Sequence, residues 1–382
     1  MKCYRCGNED PLYFYLDNHT YYCRKCVGFK RLNANEEIKV KPVIKRKINA
    51  QYYLPYTLSK KQQMAAKQIL DYLIHKKDVF VYAACGAGKT ELSMEAIKYY
   101  LQKGLKVGFA ISRRQVVIEL TQRFKQAFPM IKVVCVCEGY LNDLDGDLIV
   151  CTMHQLYRYH GWFDLLIMDE VDAFPYRGNE LLKTIAYNAC VGQKLMLSAT
   201  PDDEIKTLIK NNQIALVTLF ERPHGYPLIE PKVITLIPIM QYLYMIYYIE
   251  KHKKLKIPLL IFVPTIKLGK KLYYLLKLKY RCCLFTSQSE NKDQILQAFQ
   301  NHQYEFIIAT TVLERGITIL GINIMVIQAD HNVFNEASLI QIIGRVGRKK
   351  EMPFGEGVFL CKKKTDDIKN CCLAIQKMNN EA

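Results

Sequence analysis

The stretch Val79-Phe-Val-Tyr-Ala-Ala-Cys-Gly-Ala-Gly-Lys-Thr-Glu91 decides the fold of this chain. An apolar run typical of a buried strand leads into a glycine-rich turn that opens directly onto a helix. Backbone N–H groups from Cys85 to Lys89 can converge on phosphate oxygens, and the Thr90 hydroxyl is placed to hold Mg²⁺. Ala83 stands where the usual Gly-x4-Gly-Lys-Thr pattern has its first glycine. The stretch predicts a nucleotide-binding loop, and a turn that binds nothing is the alternative.

Strands and helices alternate after this loop with short connections. This pattern favours a parallel sheet covered by helices on both faces. The segment 221–231 contains three prolines and a glycine and marks a boundary. Beyond it lies a second strand–helix series without a Gly-Lys-Thr loop, which indicates a structural repeat of the first series. The predicted parts are a four-cysteine module (1–30), a basic linker (31–50), an ATP-binding lobe (51–220) and a second lobe (221–382).

Two Cys-x2-Cys pairs lie 16 residues apart in the N-terminal module: Cys3 with Cys6, and Cys23 with Cys26. This spacing predicts a tetrahedral zinc site with a hairpin between the two pairs. A redox dithiol is the alternative, although no βαβ context supports it. The module is also rich in tyrosine, arginine and lysine, a mixture that suits single-stranded nucleic acid or a scaffold for a partner protein.

The composition favours a polyanionic partner. Lys and Arg number 54 against 36 Asp and Glu, giving a formal charge of +18 and a pI near 9.2. Nucleic acid and an anionic membrane surface both fit this charge, and so does a lysine-rich surface that serves only solubility. An N-terminus without an apolar leader, and no apolar span approaching about 20 residues, predict a cytoplasmic protein. Peripheral attachment at the inner face of the cell membrane is compatible with both observations.

Polar residues follow the predicted strands of the first lobe. Because ligands bind at the carboxyl ends of parallel strands, these residues are site candidates: Arg113, Thr152, Asp169, Glu170, Ser198 and Thr200. Asp169 is predicted to hold the Mg²⁺ that bridges phosphates, and Glu170 to polarise the attacking water. A lone Asp-Glu pair would more often be a solvated loop, but here it follows a phosphate loop.

Two further features concern the nucleotide. Gln62 follows a predicted N-cap, Ser59, and its amide offers the donor and acceptor needed to read an adenine edge. Near the C-terminus, Arg345 and Arg348 lie three residues apart on a predicted helix and would share a face. Such guanidinium groups can neutralise charge that develops on a γ-phosphate, while a structural ion-pair network is the alternative.

The order and spacing of these motifs resemble superfamily 2 helicases and translocases. The motifs are Cys85-Gly-Ala-Gly-Lys-Thr-Glu91, Asp169-Glu-Val-Asp172, Ser198-Ala-Thr200, Thr310-Thr-Val-Leu-Glu-Arg-Gly316 and Gln341 to Arg348. Within that superfamily the chain is similar to the ComFA family, which helps to drive single-stranded DNA into transformable bacteria. The runs that carry this are the four cysteines, Arg113 with Val116 to Leu120, Thr152-Met-His-Gln-Leu156 and Asp169-Glu-Val-Asp-Ala-Phe-Pro-Tyr176.

The resemblance implies a fold of two tandem RecA-like parallel-sheet lobes with a small N-terminal zinc-binding module. It also implies ATP, Mg²⁺ and Zn²⁺ as cofactors, with Ser198 and Thr200 coupling the nucleotide to the nucleic acid. The implied nucleotide contacts are Gln62, Cys85, Gly86, Ala87, Gly88, Lys89, Thr90, Glu91 and Gly316. The implied nucleic-acid contacts are Arg113, Thr152, Thr265 and Thr310, and the implied catalytic residues are Lys89, Asp169, Glu170, Arg345 and Arg348. Ser112, where a proline is common, departs from the family pattern.

The function expected from these features is an ATP-dependent translocase, a DNA-stimulated ATPase that drives the uptake of transforming DNA. The resemblance implies single-stranded DNA and the competence uptake machinery as partners, including a membrane channel and a phosphoribosyltransferase-like ComFC protein. A duplex-unwinding replication-restart or RNA helicase of the same superfamily is the first alternative. A non-catalytic zinc protein that binds nucleic acid or a partner is the second.

Overall fold

The structure is a computed structural model that describes residues 1–38, 43–313, 320–348 and 350–382. These residues form two compact units. Unit 1 comprises Met1–Ala83 and Gly88–Leu219, and unit 2 comprises Ala84–Ala87 and Phe220–Ala382.

The N-terminal module is built on a two-stranded antiparallel hairpin, β1 (Phe14–Asp17) and β2 (Thr20–Cys23). Asn18 and His19 form its two-residue turn with φ of 48° and 62°. Positive φ at both central residues matches the right-handed twist of paired strands, and asparagine tolerates it better than most residues. The hairpin predicted between the two cysteine pairs is therefore confirmed.

The sheet of unit 1 has seven strands in the order β5-β6-β4-β7-β8-β3-β9, with every neighbouring pair parallel. Every residue of β4 and of β6 is buried, as expected for strands covered on both faces. The elements of this unit are α1 (Lys60–Ile74), β3 (Asp78–Ala83), α2 (Lys89–Leu92), α3 (Met94–Gln102), β4 (Val107–Ile111), α4 (Arg114–Ala127), β5 (Val133–Val136), β6 (Leu148–Thr152), β7 (Phe163–Asp169), α5 (Glu180–Ala189), β8 (Cys190–Ser198), α6 (Asp203–Lys210) and β9 (Ile214–Leu219).

Local side-chain chemistry sets where two helices of unit 1 begin. Ser59 caps α1 in a reciprocal capping box with Gln62, so the predicted N-cap is confirmed. The helix expected directly after the glycine-rich turn is divided into α2 and α3, with Ser93 between them. The Ser93 hydroxyl donates to the Thr90 carbonyl at 2.6 Å, a bond that competes with the helical pattern.

The sheet of unit 2 has six strands in the order β10-β15-β14-β11-β13-β12, again with every neighbouring pair parallel. The two parallel α/β sheets predicted from the alternation of strands and helices are confirmed. The elements of unit 2 are β10 (Lys232–Thr235), α7 (Pro238–Leu255), β11 (Leu259–Phe262), α8 (Ile266–Leu276), β12 (Cys282–Phe285), α9 (Lys292–Gln300), β13 (Phe306–Ala309), β14 (Asn323–Ile327), α10 (Glu336–Ile343), β15 (Gly357–Cys361) and α11 (Asp366–Asn380).

Helix α7 is the longest helix of unit 2 among the described residues, with 18 residues. Pro238 at its first turn suits a position where the backbone N–H has no partner within the helix. Neither this helix nor any other in the described ranges combines the length and apolar character needed to cross a membrane.

Candidate nucleotide site and metal cluster

The predicted phosphate loop lies between β3 and α2. Gly86 and Gly88 have φ of +84° and +88°, a region that side chains disfavour, so the loop requires glycine at both positions. Ala83 is the last residue of β3 and pairs with Leu219, where the backbone is extended and alanine causes no strain. This explains why the first glycine of the pattern can be absent. The Lys89 ammonium donates to the Ala83 carbonyl at 3.1 Å, which places its charge at the start of the loop.

Gln62 lies beside this loop although it comes from α1. Its side-chain oxygen accepts a hydrogen bond from the Ser59 N–H at 2.9 Å, as part of the capping box. A Cβ added to Gly88 would meet the Gln62 amide nitrogen at 2.5 Å. The structure therefore brings the predicted adenine reader next to the loop, with its oxygen engaged at the helix start.

Glu91 has two side-chain partners from other elements. The Tyr56 hydroxyl donates to its carboxylate at 2.7 Å, and the Arg123 guanidinium forms an ion pair with it. The carboxylate is 8% exposed. These contacts attach α2 to α4 and to the segment before α1, so Glu91 supports the loop structurally.

Asp169 and Glu170 follow each other at the carboxyl end of β7. Asp169 is buried, and its carboxylate accepts from the Glu170 N–H at 2.8 Å. Burial first, and then the charge of Glu170, raise the pKa of Asp169 to about 7, while Lys89 opposes the shift. Glu170 has a φ of +56°, an unfavourable conformation for a glutamate that turns the chain sharply out of the strand. A bound cation would favour the ionised form of Asp169, as a Mg²⁺ ligand requires.

A buried hydrogen bond joins the Asp169 segment to the segment after β8. The Thr200 hydroxyl donates to the Asp172 carboxylate at 2.9 Å, and the Ser198 hydroxyl donates to the Thr200 carbonyl at 2.8 Å. The structure thus connects the predicted coupling residues to the acidic motif. Asp172 belongs to the acidic motif, but the sequence pattern assigns it no role.

The predicted nucleic-acid contacts of unit 1 lie at one edge of its sheet. Thr152 ends β6 and is paired with Ile111, the last residue of β4. Arg113 lies two residues after Ile111, directly before α4 begins. The two candidates therefore come from neighbouring strand ends.

The candidates of unit 2 have a similar arrangement. Thr265 and Thr310 follow β11 and β13, which are paired strands. The Thr265 hydroxyl accepts from the Leu268 N–H at 3.2 Å and caps α8, and the Thr310 N–H donates to the Phe285 carbonyl at 3.2 Å. Gly316 lies outside the described residues.

The prediction that Arg345 and Arg348 share a helix face is wrong. Helix α10 ends at Ile343, and the following residues form a turn in which Gly347 has a φ of +62°. The Arg345 residue is 7% exposed whereas Arg348 is exposed, so the two point into different surroundings. Gly344 precedes Arg345 and Gly347 follows it. Because glycine favours the end of a helix, a turn forms here and the helix does not continue.

Arg222 supports this turn, and the sequence analysis did not identify it. Its guanidinium donates to the carbonyls of Gly344, Val346 and Gly347 at 3.1, 3.1 and 2.8 Å. The residue is 1% exposed, and this burial lowers its pKa to about 10, so it remains charged at neutral pH. Arg222 lies in the proline-rich boundary segment, and a lone arginine there carries no pattern that would reveal its partners.

The four N-terminal cysteines form one cluster. All are buried, and their sulfur atoms lie within 4.8 Å of one another. The Sγ atoms of Cys3 and Cys26 are 3.6 Å apart, as are those of Cys6 and Cys23. Four sulfurs at about 2.3 Å from a tetrahedral zinc ion would be separated by about 3.8 Å. The sulfur positions therefore fit a tetrahedral metal site.

Hydrogen bonds between the thiols change the pKa values of the cysteines in the cluster. Hydrogen bonds from Cys26 and then from Cys6 lower the pKa of Cys3, and the bond to Cys3 raises the pKa of Cys26. A bound cation would favour the thiolate form of the cluster, as metal ligation by cysteine requires.

The cysteine module is attached to the 3-10 turn Met153–Arg158, which begins directly after Thr152. The Phe29 ring stacks on His154 with centroids 6.0 Å apart, and the Arg5 guanidinium lies 5.8 Å from the Tyr157 ring. Arg5 is buried and also donates to Cys26, at 3.5 Å to its carbonyl and 3.9 Å to its sulfur. One side chain thus contacts both the metal cluster and the segment after β6.

Comparison with protein families finds two matches. Residues 55–203 match the family described as type III restriction enzyme, res subunit, and residues 239–350 match the helicase conserved C-terminal domain. Both families place the chain in superfamily 2 and imply ATP hydrolysis with Mg²⁺.

Solved structures share this fold. S. cerevisiae Dbp5 bound to RNA and ADP BeF3 is 18% identical, with a TM-score of 0.62 over 85% of this chain and 88% of that chain. RecG bound to a three-way DNA junction is 20% identical, with a TM-score of 0.58 over 86% of this chain and 49% of that chain. The predicted pair of RecA-like lobes is thereby confirmed.

Two curated relatives cover the whole chain. Competence protein ComFA of Streptococcus pneumoniae is 33% identical over 100% of this chain and 91% of the relative. Competence protein ComFA of Bacillus subtilis is 32% identical over 100% of this chain and 86% of the relative. The chain therefore belongs to the ComFA family, as a competence-related, ATP-dependent, helicase-like protein of superfamily 2.

Proposed function

We propose that this protein is an ATP-driven motor on single-stranded DNA that draws transforming DNA into the cell. The observation that carries the proposal is the arrangement at the sheet edge of unit 1. There the Asp169 motif and the Thr200 segment are joined by the buried Asp172–Thr200 hydrogen bond, and the charge of Lys89 acts on the Asp169 carboxyl. The positive charge of the chain, +18, favours a polyanionic track.

The catalytic roles follow from the chemistry of each side chain. Lys89 supplies charge to the phosphates, Thr90 and Asp169 hold Mg²⁺, and Glu170 orients the attacking water. Arg345 and Arg348 neutralise charge that develops on the γ-phosphate. Mg²⁺ held by Thr90 and Asp169 would offset the negative charge of the phosphates.

The backbone of the DNA is proposed to contact Arg113 and Thr152 in unit 1 and Thr265 and Thr310 in unit 2. Ser198 and Thr200 couple this track to hydrolysis, because the Thr200 hydroxyl is bonded to the acidic motif that holds the metal. A change at the phosphates can therefore reach the segment after β8 through a single hydrogen bond.

Zinc is the proposed ion of the four-cysteine cluster, with Cys3, Cys6, Cys23 and Cys26 as ligands. Tetrathiolate sites with this sulfur spacing suit zinc, whose preferred geometry is tetrahedral.

The purified chain is expected to contain one zinc ion, and Cys26→Ser should lose it while the ATPase domains stay folded. Elemental analysis measures the zinc content. Hydrogen exchange at 153–158 measures whether this part of the ATPase domain stays folded, because Arg5 links the cluster to that segment. A chain with full zinc content after Cys26→Ser would contradict the assignment.

The proposed partners are the DNA-uptake machinery at the membrane, including its channel, and a phosphoribosyltransferase-like ComFC protein. Attachment to the inner face of the membrane would then be peripheral, through such a partner or the cationic surface.

The test of the proposed function is the ATPase rate measured side by side with single-stranded DNA, duplex DNA and RNA. We expect stimulation to be strongest with single-stranded DNA. Because phosphate contacts dominate, DNA affinity should fall steeply with salt, by about 100-fold or more between 50 and 200 mM if six or more phosphates are contacted. Equal or greater stimulation by RNA, or a flat salt profile, would contradict the proposal.

The likeness to RecG keeps duplex unwinding as a second candidate. A strand-displacement assay on tailed duplexes distinguishes these two functions. A translocase that only moves along single strands leaves the base-paired part of the substrate intact, whereas a helicase separates its strands. Absence of any ATP turnover would instead favour a zinc-dependent binding protein.

A further inference from the structure

We propose that the outer face of the β1–β2 hairpin is a second contact for single-stranded nucleic acid, which stacks its bases on Tyr13 and Tyr15. The inference rests on the proposed function, because it extends the track of the same DNA strand. It assigns to the cysteine module a binding surface in addition to its metal cluster.

The alternation of the hairpin creates this face. Phe14 and Cys23 are paired and buried against the cysteine cluster, so the next pair, Tyr15 and Tyr22, projects to the opposite side. The Tyr15 and Tyr22 rings meet edge to face with centroids 5.8 Å apart. Tyr13 is 44% exposed and Tyr15 is 52% exposed. Tyr15 is held by the strand pair, and Tyr13 by the 3-10 turn Pro11–Tyr13 directly before β1. Rings fixed in this way, yet accessible to solvent, are suitable platforms for bases.

Each ring of this face has its own cation. The Arg24 guanidinium lies 5.6 Å from the Tyr15 centroid, and the Lys25 ammonium lies 5.5 Å from the Tyr13 centroid. The Arg31 guanidinium lies 4.7 Å from the Tyr22 centroid and also forms an ion pair with Asp17. Positive charge is thus fixed within reach of any phosphate whose base stacks on these rings.

This combination favours a nucleic acid over a protein as the ligand. Tyrosine and arginine are common at protein interfaces, but lysine is depleted there and the buried core of an interface excludes most charge. Three cations, Lys25 among them, lie over the rings of this face. On the hairpin, by contrast, aromatic rings and cations alternate. Stacking surface and backbone counter-charge at this spacing are the two elements of sequence-independent single-strand binding.

The position of the module also supports this ligand. Phe29 and Arg5 hold the module on His154 and Tyr157. Both of those residues belong to the turn that starts immediately after Thr152, a proposed backbone contact. The cysteine module is therefore attached to the segment that follows Thr152, and the proposal assigns both to the path of one strand within unit 1.

The test uses the full chain with zinc bound and fluorescent oligomers of deoxythymidine and of uridine of equal length. Tyr15→Ala should weaken binding about five- to tenfold, since base–aromatic stacking has effects of this order, whereas Tyr15→Phe should stay within about twofold. The loss should be the same for both oligomers, because the platform reads the face of the base. Crosslinking with bromodeoxyuridine should label Tyr13 or Tyr15 directly.

Tyr247→Ala is the matched control, since this tyrosine is 62% exposed but lies on α7 of unit 2. It should leave the affinity unchanged, and zinc content should be equal in all variants. If single-stranded DNA fails to stimulate the unaltered chain, the proposed function itself is wrong. If stimulation is normal but Tyr15→Ala binds both oligomers like the unaltered chain, only this inference is overturned, and the face belongs to a protein partner. A loss confined to one oligomer would also overturn base stacking.

Discussion

Lys89→Ala is expected to reduce DNA-stimulated ATP turnover by at least about 100-fold while single-stranded DNA binding persists. The ammonium donates to the Ala83 carbonyl at the start of the phosphate loop, so removal leaves the loop backbone in place but deletes its point charge. Deleting one preorganised group that stabilises transition-state charge typically costs two to three orders of magnitude in rate. Steady-state ATPase assays at saturating DNA, together with fluorescence anisotropy of a labelled oligomer, measure the two quantities separately.

Lys98→Ala provides the matched control for this substitution. Lys98 lies on the next helix, α3, and pairs with Glu95 at 3.0 Å across one turn. A pair of this kind at a partly exposed position contributes about 0.5 kcal/mol or less, so turnover should be almost unchanged. The assignment of the loop fails if Lys89→Ala hydrolyses ATP at the rate of the unaltered chain in the presence of single-stranded DNA.

The fold could be predicted because its determinants are local. The apolar run of β3, the glycines that follow it and the start of α2 are contiguous in sequence, and this order recurs as strand and helix alternate. The periodicity of the apolar residues and the positions of the turn residues were therefore sufficient to predict the two parallel sheets. The hairpin of the cysteine module was equally predictable, because the short segment between the two cysteine pairs must reverse direction to bring the pairs together.

The turn that carries Arg345 could not be predicted, because a distant residue holds it in place. Arg222 lies more than 120 positions earlier, yet its guanidinium binds three carbonyls of the turn after α10. The residues after Ile343, Gly-Arg-Val-Gly-Arg, do not indicate that Arg222 binds their carbonyls. A long-range hydrogen bond to backbone leaves no periodic signature.

The site shows the same division between local and distant determinants. The positions of Lys89 and Asp169 follow from the strands that carry them, so the motif pattern was sufficient. The link from Thr200 to Asp172, and the second contact that Arg5 makes with Tyr157, join segments separated by 28 and by more than 150 residues. Only the folded chain reveals which member of each motif makes the connection.

Arg222→Ala is expected to destabilise unit 2 by about 3–5 kcal/mol and to lower ATP turnover with it. The substitution removes a buried side chain and leaves the carbonyls of Gly344, Val346 and Gly347 without their donor. Each buried polar group left without a partner costs about 1–3 kcal/mol. Because the turn also carries Arg345, its displacement should lower kcat more than it raises the KM for ATP. Denaturant unfolding and steady-state kinetics measure these effects.

Arg222→Lys separates loss of charge from loss of geometry. A lysine retains a cation but cannot reproduce the planar fork that reaches three carbonyls, so it should recover stability only in part. Arg281→Ala, at an exposed arginine of the same unit, should change the unfolding free energy by about 0.5 kcal/mol or less. Hydrogen exchange at residues 344–347 gives the decisive comparison, because protection there depends on the turn itself. Unchanged protection in Arg222→Ala would show that the carbonyl contacts do not hold the turn, and the positioning role of Arg222 would have to be abandoned.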